Sequence, residues 1–119
     1  MVTALKIEPG KSPCVCQLCD NTEYLNHSIS IGSNLPYLAS ALRLDKNIAI
    51  IYCENGALFS LPGNRRVEDR IICGVFYIVR VQNGKLQSLT DTDVVKYTLK
   101  YWSTEHFSED EIMDSWCSY

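Results

Sequence analysis

The sequence predicts an α+β fold: a small, mostly antiparallel sheet with an N-terminal hairpin, one or two packed helices and a C-terminal helical segment. Short apolar or alternating runs, separated by Pro-Gly and Asn-Gly dipeptides, occupy the first two thirds of the chain, a pattern typical of antiparallel hairpins. The last third contains two capping-box sequences, which predict helices. A length of 119 residues, with 46% hydrophobic and 21% charged residues, indicates one globular domain.

The first predicted strands form a hairpin at the N-terminus. Pro9-Gly10 is a turn dipeptide between two alternating runs, and Cys14–Leu18 is the return strand. Asn47–Cys53 is rich in β-branched residues, which favours a strand that ends in a tight turn at Asn55-Gly56 and returns through residues 57–61. Both pairs are expected to be antiparallel, because their connections are too short for a crossover.

One long strand is predicted in the second half of the sheet. Ile71–Val81 is almost continuously apolar, which is typical of a strand at the centre of a sheet. Asn83-Gly84 then turns the chain onto a short return strand, residues 86–88. Leu61–Arg70 is the most polar stretch of the chain and is predicted to be a loop.

Helices are predicted mainly near the C-terminus. Thr90 and Asp93 form one capping box, and Ser108 and Glu111 form a second, which begins a short helix. A further short helix is expected over residues 20–27, whereas residues 34–42 fit either a helix or a strand. We expect residues 1–102 to form a single domain and residues 103–119 to form an acidic helical extension packed on or beside it. The first C-terminal helix is expected to bury Val94, Tyr97, Leu99 and either Tyr101 or Trp102.

Charge and hydropathy exclude several classes of protein. A net charge of −3 does not supply the basic surface that tracks a nucleic-acid backbone. No apolar run approaches the roughly 20 residues of a membrane-spanning helix. The N-terminus lacks the basic and apolar regions of a secretory signal, so we expect a cytoplasmic protein with reduced cysteines.

Several segments together resemble a known family of small proteins. In chain order they are "IEPGKSP", "CENGALFSLPGNRR", "IICGVFYIV" and "SLTDTDVVKYTLKYW". The family is catalogued as a domain of unknown function, number thirty-eight forty-six, and occurs in bacteriophages and conjugative elements. The resemblance covers roughly Ala4 to Trp102 and leaves residues 103–119 outside it. It implies an α+β fold in a phage or mobile-element setting, without an assigned enzymatic activity.

The cysteines allow three interpretations: half of a zinc site, a redox pair, or an ordinary strand. Cys14, Cys16 and Cys19 fall within six positions. On a strand, Cys14 and Cys16 point the same way about 7 Å apart, which is too wide for two thiolates on one zinc ion. The C-x-x-C spacing of a redox pair occurs once, at Cys16 and Cys19, and the redox interpretation is favoured less than the zinc site. The strand interpretation is favoured, and we expect no metal and no cofactor.

No catalytic constellation is present in the sequence. His27 and His106 are the two histidines, and neither lies in a nucleophile pattern, so both are expected at the surface or at a helix end. Phosphate-binding and hydrolase motifs such as G-x-G-x-x-G and G-x-S-x-G are absent. We therefore expect a binding protein rather than an enzyme, with a small zinc-dependent enzyme as the least favoured alternative.

The segment Gly63–Arg66 is the leading candidate for a binding site. A glycine lets the backbone approach a ligand, successive N–H groups can form an anion nest, and Arg65 or Arg66 can present a fork of donors to phosphate or carboxylate. The alternative is structural: an arginine pairs with Glu68, Asp69 or Glu54, and Asn64 caps the loop. This alternative is favoured for Arg66 and left open for Asn64 and Arg65.

Two functional hypotheses follow for the setting that the resemblance implies. The first is a counter-defence protein, a homo-oligomer that sequesters a nucleotide-derived immune signal. The second is an inhibitor of a host defence or regulatory protein, which would act through the acidic tail, either by mimicking nucleic-acid charge or by docking through Ile112, Met113 and Trp116. The residues expected to bind the nucleotide in the first hypothesis are Asn64, Arg65, Arg66, Asn55, Tyr52 and Lys11.

Overall fold

Nine strands and two helices are present in the part of the chain that a computed structural model describes, which comprises residues 1–18, 28–29, 37–53 and 61–117. The fold is α+β, with a mostly antiparallel sheet, as the sequence predicts. The helix predicted for residues 20–27, together with Cys19, His27 and Asn55, lies outside the described residues. The elements are β1 (Val2–Ile7), β2 (Cys14–Leu18), β3 (Ser28–Ile29), β4 (Tyr37–Asp45), β5 (Ile48–Cys53), β6 (Gly63–Val67), β7 (Arg70–Cys73), β8 (Phe76–Gln82), β9 (Lys85–Gln87), α1 (Asp91–Lys100) and α2 (Glu109–Cys117).

The main sheet has seven strands with β8 near its centre. The strand order is β2-β1-β8-β5-β4-β3, and β9 pairs with the far end of β8. Ile78 on β8 lies opposite Leu5 on β1 and Ile50 on β5, so three buried side chains run across the middle of the sheet. Of residues 34–42, which fit either a helix or a strand by sequence, residues 37–42 belong to β4 and residues 34–36 lie outside the described part of the chain.

The turns predicted at Pro9-Gly10 and at Asn83-Gly84 are confirmed. Gly10 has φ +73° in the turn between β1 and β2, where the Lys11 N–H donates to the Glu8 carbonyl at 3.2 Å. Asn83 and Gly84 both have positive φ between β8 and β9, as a tight two-residue hairpin turn requires. Local turn chemistry therefore determines where these strands begin and end.

The prediction of a polar loop at Leu61–Arg70 is wrong, because most of this stretch forms a hairpin. Residues of β6 pair with β7 in a separate two-stranded sheet, with a register shift between Gly63 and Arg65. The shift directs two consecutive polar side chains, Asn64 and Arg65, into the interior. Two of the polar residues that suggested a loop are thus buried residues of a strand.

The prediction of one long strand over Ile71–Val81 is also wrong. Gly74 has φ +78°, and the chain changes direction there, so that β7 pairs with β6 while β8 joins the main sheet. The Gly74 N–H donates to the Pro62 carbonyl at 2.8 Å, which holds the break against the start of β6. A glycine satisfies this conformation because it lacks the Cβ that disfavours positive φ.

Helix α1 begins at the predicted capping box. The Thr90 hydroxyl accepts from the Asp93 N–H at 3.1 Å, and the Asp93 carboxylate accepts from the Thr90 N–H at 2.9 Å. Arg80 on β8 also donates to Asp93 at 3.0 Å, which ties the start of the helix to the sheet. The first turn of α1 is therefore bonded directly to β8, near the centre of the main sheet.

The buried side of α1 is narrower than the sequence predicts. Tyr97 and Tyr101 are buried and Val94 packs against them, whereas Leu99 is 71% exposed and Trp102 is 56% exposed. At 100° per residue, positions 94, 97 and 101 share one face, and Leu99 falls on the opposite one. The inclusion of Leu99 in the core is therefore wrong, and of the two alternatives, Tyr101 and Trp102, Tyr101 is the buried residue.

One face of the main sheet carries the larger core. Alternate residues of β1, β5 and β8 face α1 and the β6–β7 hairpin, and these elements enclose the cluster. The opposite face carries a smaller cluster that includes Ala4, Ile51 and Val79. Neither α1 nor α2 is long and apolar enough to cross a membrane, in the part of the chain that is described. The larger cluster consists of Leu5, Ile7, Ile48, Ile50, Tyr52, Val67, Ile72, Phe76, Ile78, Leu89, Tyr97 and Tyr101.

Helix α2 begins at the second predicted capping box and packs on β7. The Ser108 hydroxyl accepts from the Glu111 N–H, and the Glu111 carboxylate accepts from the Ser108 N–H, both at 3.1 Å. Near the other end, the Ser115 hydroxyl accepts from the Ile71 N–H at 3.2 Å. These contacts fix the orientation of α2 against the β6–β7 hairpin.

Candidate functional site

Asn64 is fully buried, and its side-chain amide joins three parts of the fold. Its Nδ2 donates to the carbonyl of Ile7, at the end of β1, at 2.8 Å, and to the carbonyl of Gly74 at 2.9 Å. Its Oδ1 accepts from Arg65 at 2.7 Å. Both amide hydrogens and the amide oxygen are engaged, as a buried asparagine requires.

Arg65 is also fully buried, and its guanidinium donates to neutral oxygens of other described residues. Nε reaches the carbonyl of Tyr101 at 3.1 Å and Nη2 reaches the carbonyl of Lys11 at 2.7 Å. Nη1 donates to Asn64, and at 3.5 Å it approaches the carbonyl of Glu8. Burial lowers the pKa of the Arg65 guanidinium and the charge of Glu105 opposes this shift, but an arginine keeps its charge throughout the accessible pH range.

The Asn64–Arg65 pair joins segments that are far apart in the chain. The E-P-G-K turn supplies two acceptors through Glu8 and Lys11, and the glycine of "IICGVFYIV" supplies a third. The helix of "SLTDTDVVKYTLKYW" supplies the Tyr101 carbonyl. These separated motifs therefore contribute to one hydrogen-bonded cluster inside the protein.

Arg66, the next residue, lies on the outside of β6. Its N–H donates to the Glu105 carboxylate at 3.1 Å, and its guanidinium carbon lies 5.8 Å from the centre of the Phe107 ring. Its side chain is exposed, so it is the arginine of this segment that a ligand in solution can reach. The side chain of Arg65 is thus buried in the protein, whereas that of Arg66 is exposed to solvent.

The other predicted ligand residues are spread over the fold. Tyr52 is 5% exposed and lies in the larger core cluster. The Lys11 side chain is 69% exposed and pairs with Glu8 at 3.4 Å. Asn55 lies outside the described residues. The structure thus joins Asn64, Arg65 and the backbone of Lys11, but it does not place them with Tyr52 around an open cavity.

A cleft of about 450 Å³ lies between the start of β6 and helix α2. One wall is the chain entering β6, Leu61 to Gly63, and the other is the segment 105–107 with the first turns of α2. The walls meet at Gly63, where the Cβ of any other residue would lie 3.1 Å from Phe107 and 3.2 Å from Ile112. Glycine at this position therefore allows the second wall to sit close to β6.

The lining of the cleft combines apolar side chains with carboxylates. Its apolar members are Leu61, Pro62, Phe107, Ile112 and Met113. Among the described residues, its polar side chains are those of Glu105, His106 and Glu109, and the guanidinium of Arg66 lies beside the lining, 5.8 Å from the centre of the Phe107 ring. Such a site favours a ligand with an apolar body and a positive charge.

Helix α2 presents different residues on its two sides. Glu109, Ile112 and Met113, spaced by three and four positions, line the cleft. Ile112 is half-buried and faces Gly63, so it is part of the packing of the helix, whereas Met113 is 44% exposed. Asp110, Glu111 and Asp114 face solvent.

The cysteines of β2 occupy a regular strand, as predicted. Cys14 lies opposite Lys6 and Cys16 opposite Ala4 in an unbroken antiparallel register. Burial, followed by the neighbouring Cys14, raises the pKa of the Cys16 thiol. Among the described residues, three or more His, Cys, Asp or Glu side chains do not come together as a metal site.

The cleft is a feature that the sequence interpretation missed. Glu105 and His106 belong to a short connection without a motif, and Leu61 lies 51 residues from Ile112 in the chain. The sequence offers one indication of the cleft: Ile112 and Met113 lie beside the acidic first turn of a predicted helix. The sequence interpretation assigns these two residues to docking on a partner protein. The chain has no match among the family models, the curated proteins or the solved structures with which it was compared, so the family resemblance remains a prediction.

Proposed function

We propose that this chain is a non-catalytic binding protein that inhibits a partner protein by covering a basic, partly apolar surface. The observation that carries the proposal is the cleft beside α2, which combines apolar side chains with the carboxylates of Glu105 and Glu109. Its volume lies within the range of roughly 300–1,000 Å³ typical of sites that hold a compact ligand or side chain. A lysine or arginine side chain, with an apolar stem and a charged end, matches this chemistry.

The charge distribution around the cleft supports a basic partner. Residues 103–119 contain five of the 14 acidic residues of the chain and none of its 11 basic residues. Three of these acids, Asp110, Glu111 and Asp114, are exposed on α2 and do not line the cleft. An acidic surface of this kind attracts an oppositely charged surface and increases the rate of association.

The mobile-element setting implied by the resemblance suggests the class of partner. Proteins that bind nucleic acid present basic surfaces to the phosphate backbone. An acidic protein that occupies such a surface competes with the nucleic acid directly. We therefore propose a host defence or regulatory protein with a nucleic-acid-binding surface as the target.

The nucleotide-sequestering hypothesis receives less support from the geometry. The guanidinium of Arg65 and the amide of Asn64, which would bind phosphate, already donate to oxygens within the fold. Arg66 and Lys11 are the predicted ligand residues with exposed side chains. They remain the positions at which binding of a nucleotide would be tested.

Binding of labelled probes to the purified full chain tests the proposal. One fluorescent peptide alternates lysine or arginine with leucine, and a matched peptide carries glutamine in place of each basic residue. Cyclic dinucleotides and ADP-ribose form a third arm. We expect saturable binding of the basic peptide that weakens as salt is raised. Equal affinity for both peptides, or binding of the nucleotides alone, would contradict the proposal.

Two variants localise the binding. Met113→Lys places a cation in the cleft and is expected to weaken binding of the basic peptide by about tenfold or more, since like charges are brought together. Val15→Lys is the matched control, because Val15 is 52% exposed on β2, an element that does not line the cleft. Similar losses in both variants would show a nonspecific effect of net charge.

A further inference from the structure

Gly63 and Arg66 lie on the same outer face of the β6–β7 hairpin. In a regular strand, residues three positions apart point to opposite faces. The register shift between Gly63 and Arg65 inserts one extra residue, so Gly63 and Arg66 both face the segment that precedes α2. Both meet Phe107, because a Cβ at Gly63 would lie 3.1 Å from its Cδ2 and the guanidinium carbon of Arg66 lies 5.8 Å from its ring centre. The shift thus places a guanidinium at the wall of the cleft beside α2.

The Arg66 side chain is held by one weak contact. It is exposed, and among the described residues its guanidinium contacts the Phe107 ring while the carboxylates lie beyond ion-pair distance. An exposed cation–π contact changes an equilibrium about two- to fivefold. The Arg66 N–H donates separately to the Glu105 carboxylate at 3.1 Å, which holds the backbone of β6. The guanidinium can therefore leave the ring without disturbing the hairpin.

The cation that already contacts this wall is a guanidinium. It is planar, so it stacks on an aromatic ring and presents parallel N–H groups to a carboxylate, whereas a lysine ammonium is a point charge. Phe107 lines the cleft together with Glu105 and Glu109. A guanidinium that enters the cleft from solution has access to these two carboxylates as well as to the ring. It therefore gains charge-assisted hydrogen bonds that Arg66 lacks.

We propose that Arg66 is an internal competitor at the cleft, and that an arginine of the partner binds by displacing the Arg66 guanidinium from the Phe107 ring. The inference rests on the proposed function, because it names the side chain that the partner inserts. Arg66 lowers the affinity of the cleft for cations in general, so the site selects an arginine that uses the ring and the carboxylates together. Arg66 thus determines specificity without binding the partner itself.

Affinities of the full chain for two labelled peptides test the competition. Both peptides alternate a basic residue with leucine, and one carries arginine where the other carries lysine. We expect the arginine peptide to bind more tightly by about twofold or more. Arg66→Gln should tighten its binding by about threefold or more, because the ring is freed and a like charge is removed. Equal affinity for the two peptides, or unchanged or weaker binding by Arg66→Gln, would overturn the proposal.

Arg43→Gln is the matched control for net charge. Arg43 is exposed on β4, an element that does not line the cleft. The control removes the same charge as Arg66→Gln and should leave the affinity for the arginine peptide nearly unchanged. Equal tightening in the two variants would assign the effect to net charge and would contradict a local role for Arg66.

Phe107→Leu separates competition for the ring from repulsion between charges. In the parent chain, this substitution removes the contact of Arg66 and the contact of the incoming arginine, so the two effects partly cancel. In Arg66→Gln, only the incoming arginine loses a contact, so the same substitution should reduce the affinity by a larger factor. Far-UV circular dichroism verifies that each variant is folded. Equal factors in the two backgrounds would exclude displacement from the ring.

Nuclear magnetic resonance with n-butylguanidinium chloride separates failure of this inference from failure of the proposed function. In the free chain, the Phe107 ring should shift the resonances of the Arg66 Cδ protons, and Phe107→Leu should remove that shift. Millimolar probe should change the Phe107 ring resonances and return the Arg66 protons to the values of an exposed arginine, whereas sodium chloride at the same concentration should not.

Displacement by the probe, combined with binding of neither peptide, would contradict the proposed function and still support Arg66 as the competitor. Binding of the peptides without displacement would do the reverse. If the Arg66 protons keep their shift when the Phe107 signals are saturated, or if the probe leaves both sets of resonances unchanged, the inference is excluded.

Discussion

The Nε atom of Arg65 donates a hydrogen bond to the main-chain carbonyl of Tyr101 at 3.1 Å, so a residue of strand β6 terminates helix α1 from inside the protein. The last carbonyls of a helix lack partners within it, and the negative end of the helix dipole favours a cation there. The Tyr101 ring packs edge-on against Phe76 with ring centres 5.9 Å apart. Tyr101 is thus fixed by its backbone to the hairpin and by its ring to the main sheet.

Replacement of Arg65 by methionine is expected to lower the free energy of unfolding by about 3 kcal/mol or more. The variant keeps an apolar stem but removes every donor, and the carbonyls of Tyr101 and Lys11 then lose a partner, at about 1–3 kcal/mol for a buried group. Urea unfolding measures the change. Arg66→Met is the matched control, expected to cost about 1 kcal/mol or less because its side chain is exposed. Equal losses in the two variants would contradict a structural role for Arg65.

Alanine at Gly74 is expected to destabilise the protein more than alanine at Gly10. Both glycines have positive φ, which costs an alanine about 1–2 kcal/mol. At Gly74 the new methyl group would also lie 2.8 Å from Leu61 Cδ1, whereas nothing lies within 4 Å at Gly10. Leu61 must then move, and since it lines the cleft, its methyl resonances should shift in Gly74→Ala alone. Equal stabilities with unchanged Leu61 resonances would argue against this close packing.

Because of Asp93, we expect the free energy of unfolding to decrease as the pH is lowered below neutrality. Burial raises the pKa of its carboxyl, but hydrogen bonds from Thr90 and the pairing with Arg80 lower it by more, so the net shift is downward. A group with a depressed pKa stabilises the fold above its unfolded pKa, and this contribution disappears as the pH falls through the folded pKa. Asp93→Asn should lower the free energy of unfolding by about 1 kcal/mol at neutral pH. Its free energy of unfolding should also depend less on pH in the acid range.

The control for Asp93 is Asp91→Asn, which removes the same charge from the same helical turn. Unfolding by urea at a series of pH values compares the two variants with the parent chain. Asp91→Asn should keep the acid dependence of the parent chain, because the bonds to Thr90 and Arg80 remain. If Asp93→Asn followed the parent chain over the whole acid range, the bonds at Asp93 would not be the source of that dependence.

Tyr101 is expected to cause loss of stability at high pH. Burial, followed by the charge of Glu68, raises the pKa of its hydroxyl to about 12, against an ordinary value near 10. Between these values the unfolded chain releases the proton and the folded chain retains it. Stability therefore falls as the pH rises through this interval, by up to about 1.4 kcal/mol per pH unit.

Tyr101→Phe should flatten this alkaline dependence, because it removes the ionisable hydroxyl and keeps the ring. Glu68→Gln should lower the pKa of Tyr101 by removing the neighbouring negative charge, and tyrosinate absorbance measures that shift. Glu109→Gln is the control, since Glu109 is not among the charges that raise this pKa. If the free energy of unfolding still fell at high pH in Tyr101→Phe, a group other than Tyr101 would be the cause of that fall.

The sequence was sufficient where local chemistry determines local structure. Pro9-Gly10 and Asn83-Gly84 impose turn conformations that few other residue pairs adopt, and the capping boxes at Thr90 and Ser108 satisfy N–H groups within four residues of chain. These features depend on neighbours in sequence. The fold class and the bounds of several elements followed from them.

The sequence was insufficient where a polar residue is satisfied by distant backbone. Asn64 and Arg65 suggested a ligand-binding loop because their partners, the carbonyls of Ile7, Gly74 and Tyr101, have no signature in the sequence. Carbonyl acceptors are present at every residue, so only the fold determines which ones a buried arginine meets. The cleft was missed for the same reason, because its walls come from distant segments.

The separation in sequence between Arg65 and its acceptors has a consequence for synthesis of the protein. Glu8 and Lys11 precede Arg65 by more than fifty residues and Tyr101 follows it by 36, so the guanidinium obtains its last acceptor only after most of the chain has left the ribosome. Until then, burying the hairpin of β6 and β7 would enclose a positive charge with an incomplete set of partners, which is costly. We therefore expect the interior to become fully packed only after α1 has been made. In a nascent chain that stops before Tyr101, the β6–β7 hairpin is expected to stay exposed and to be open to proteolysis.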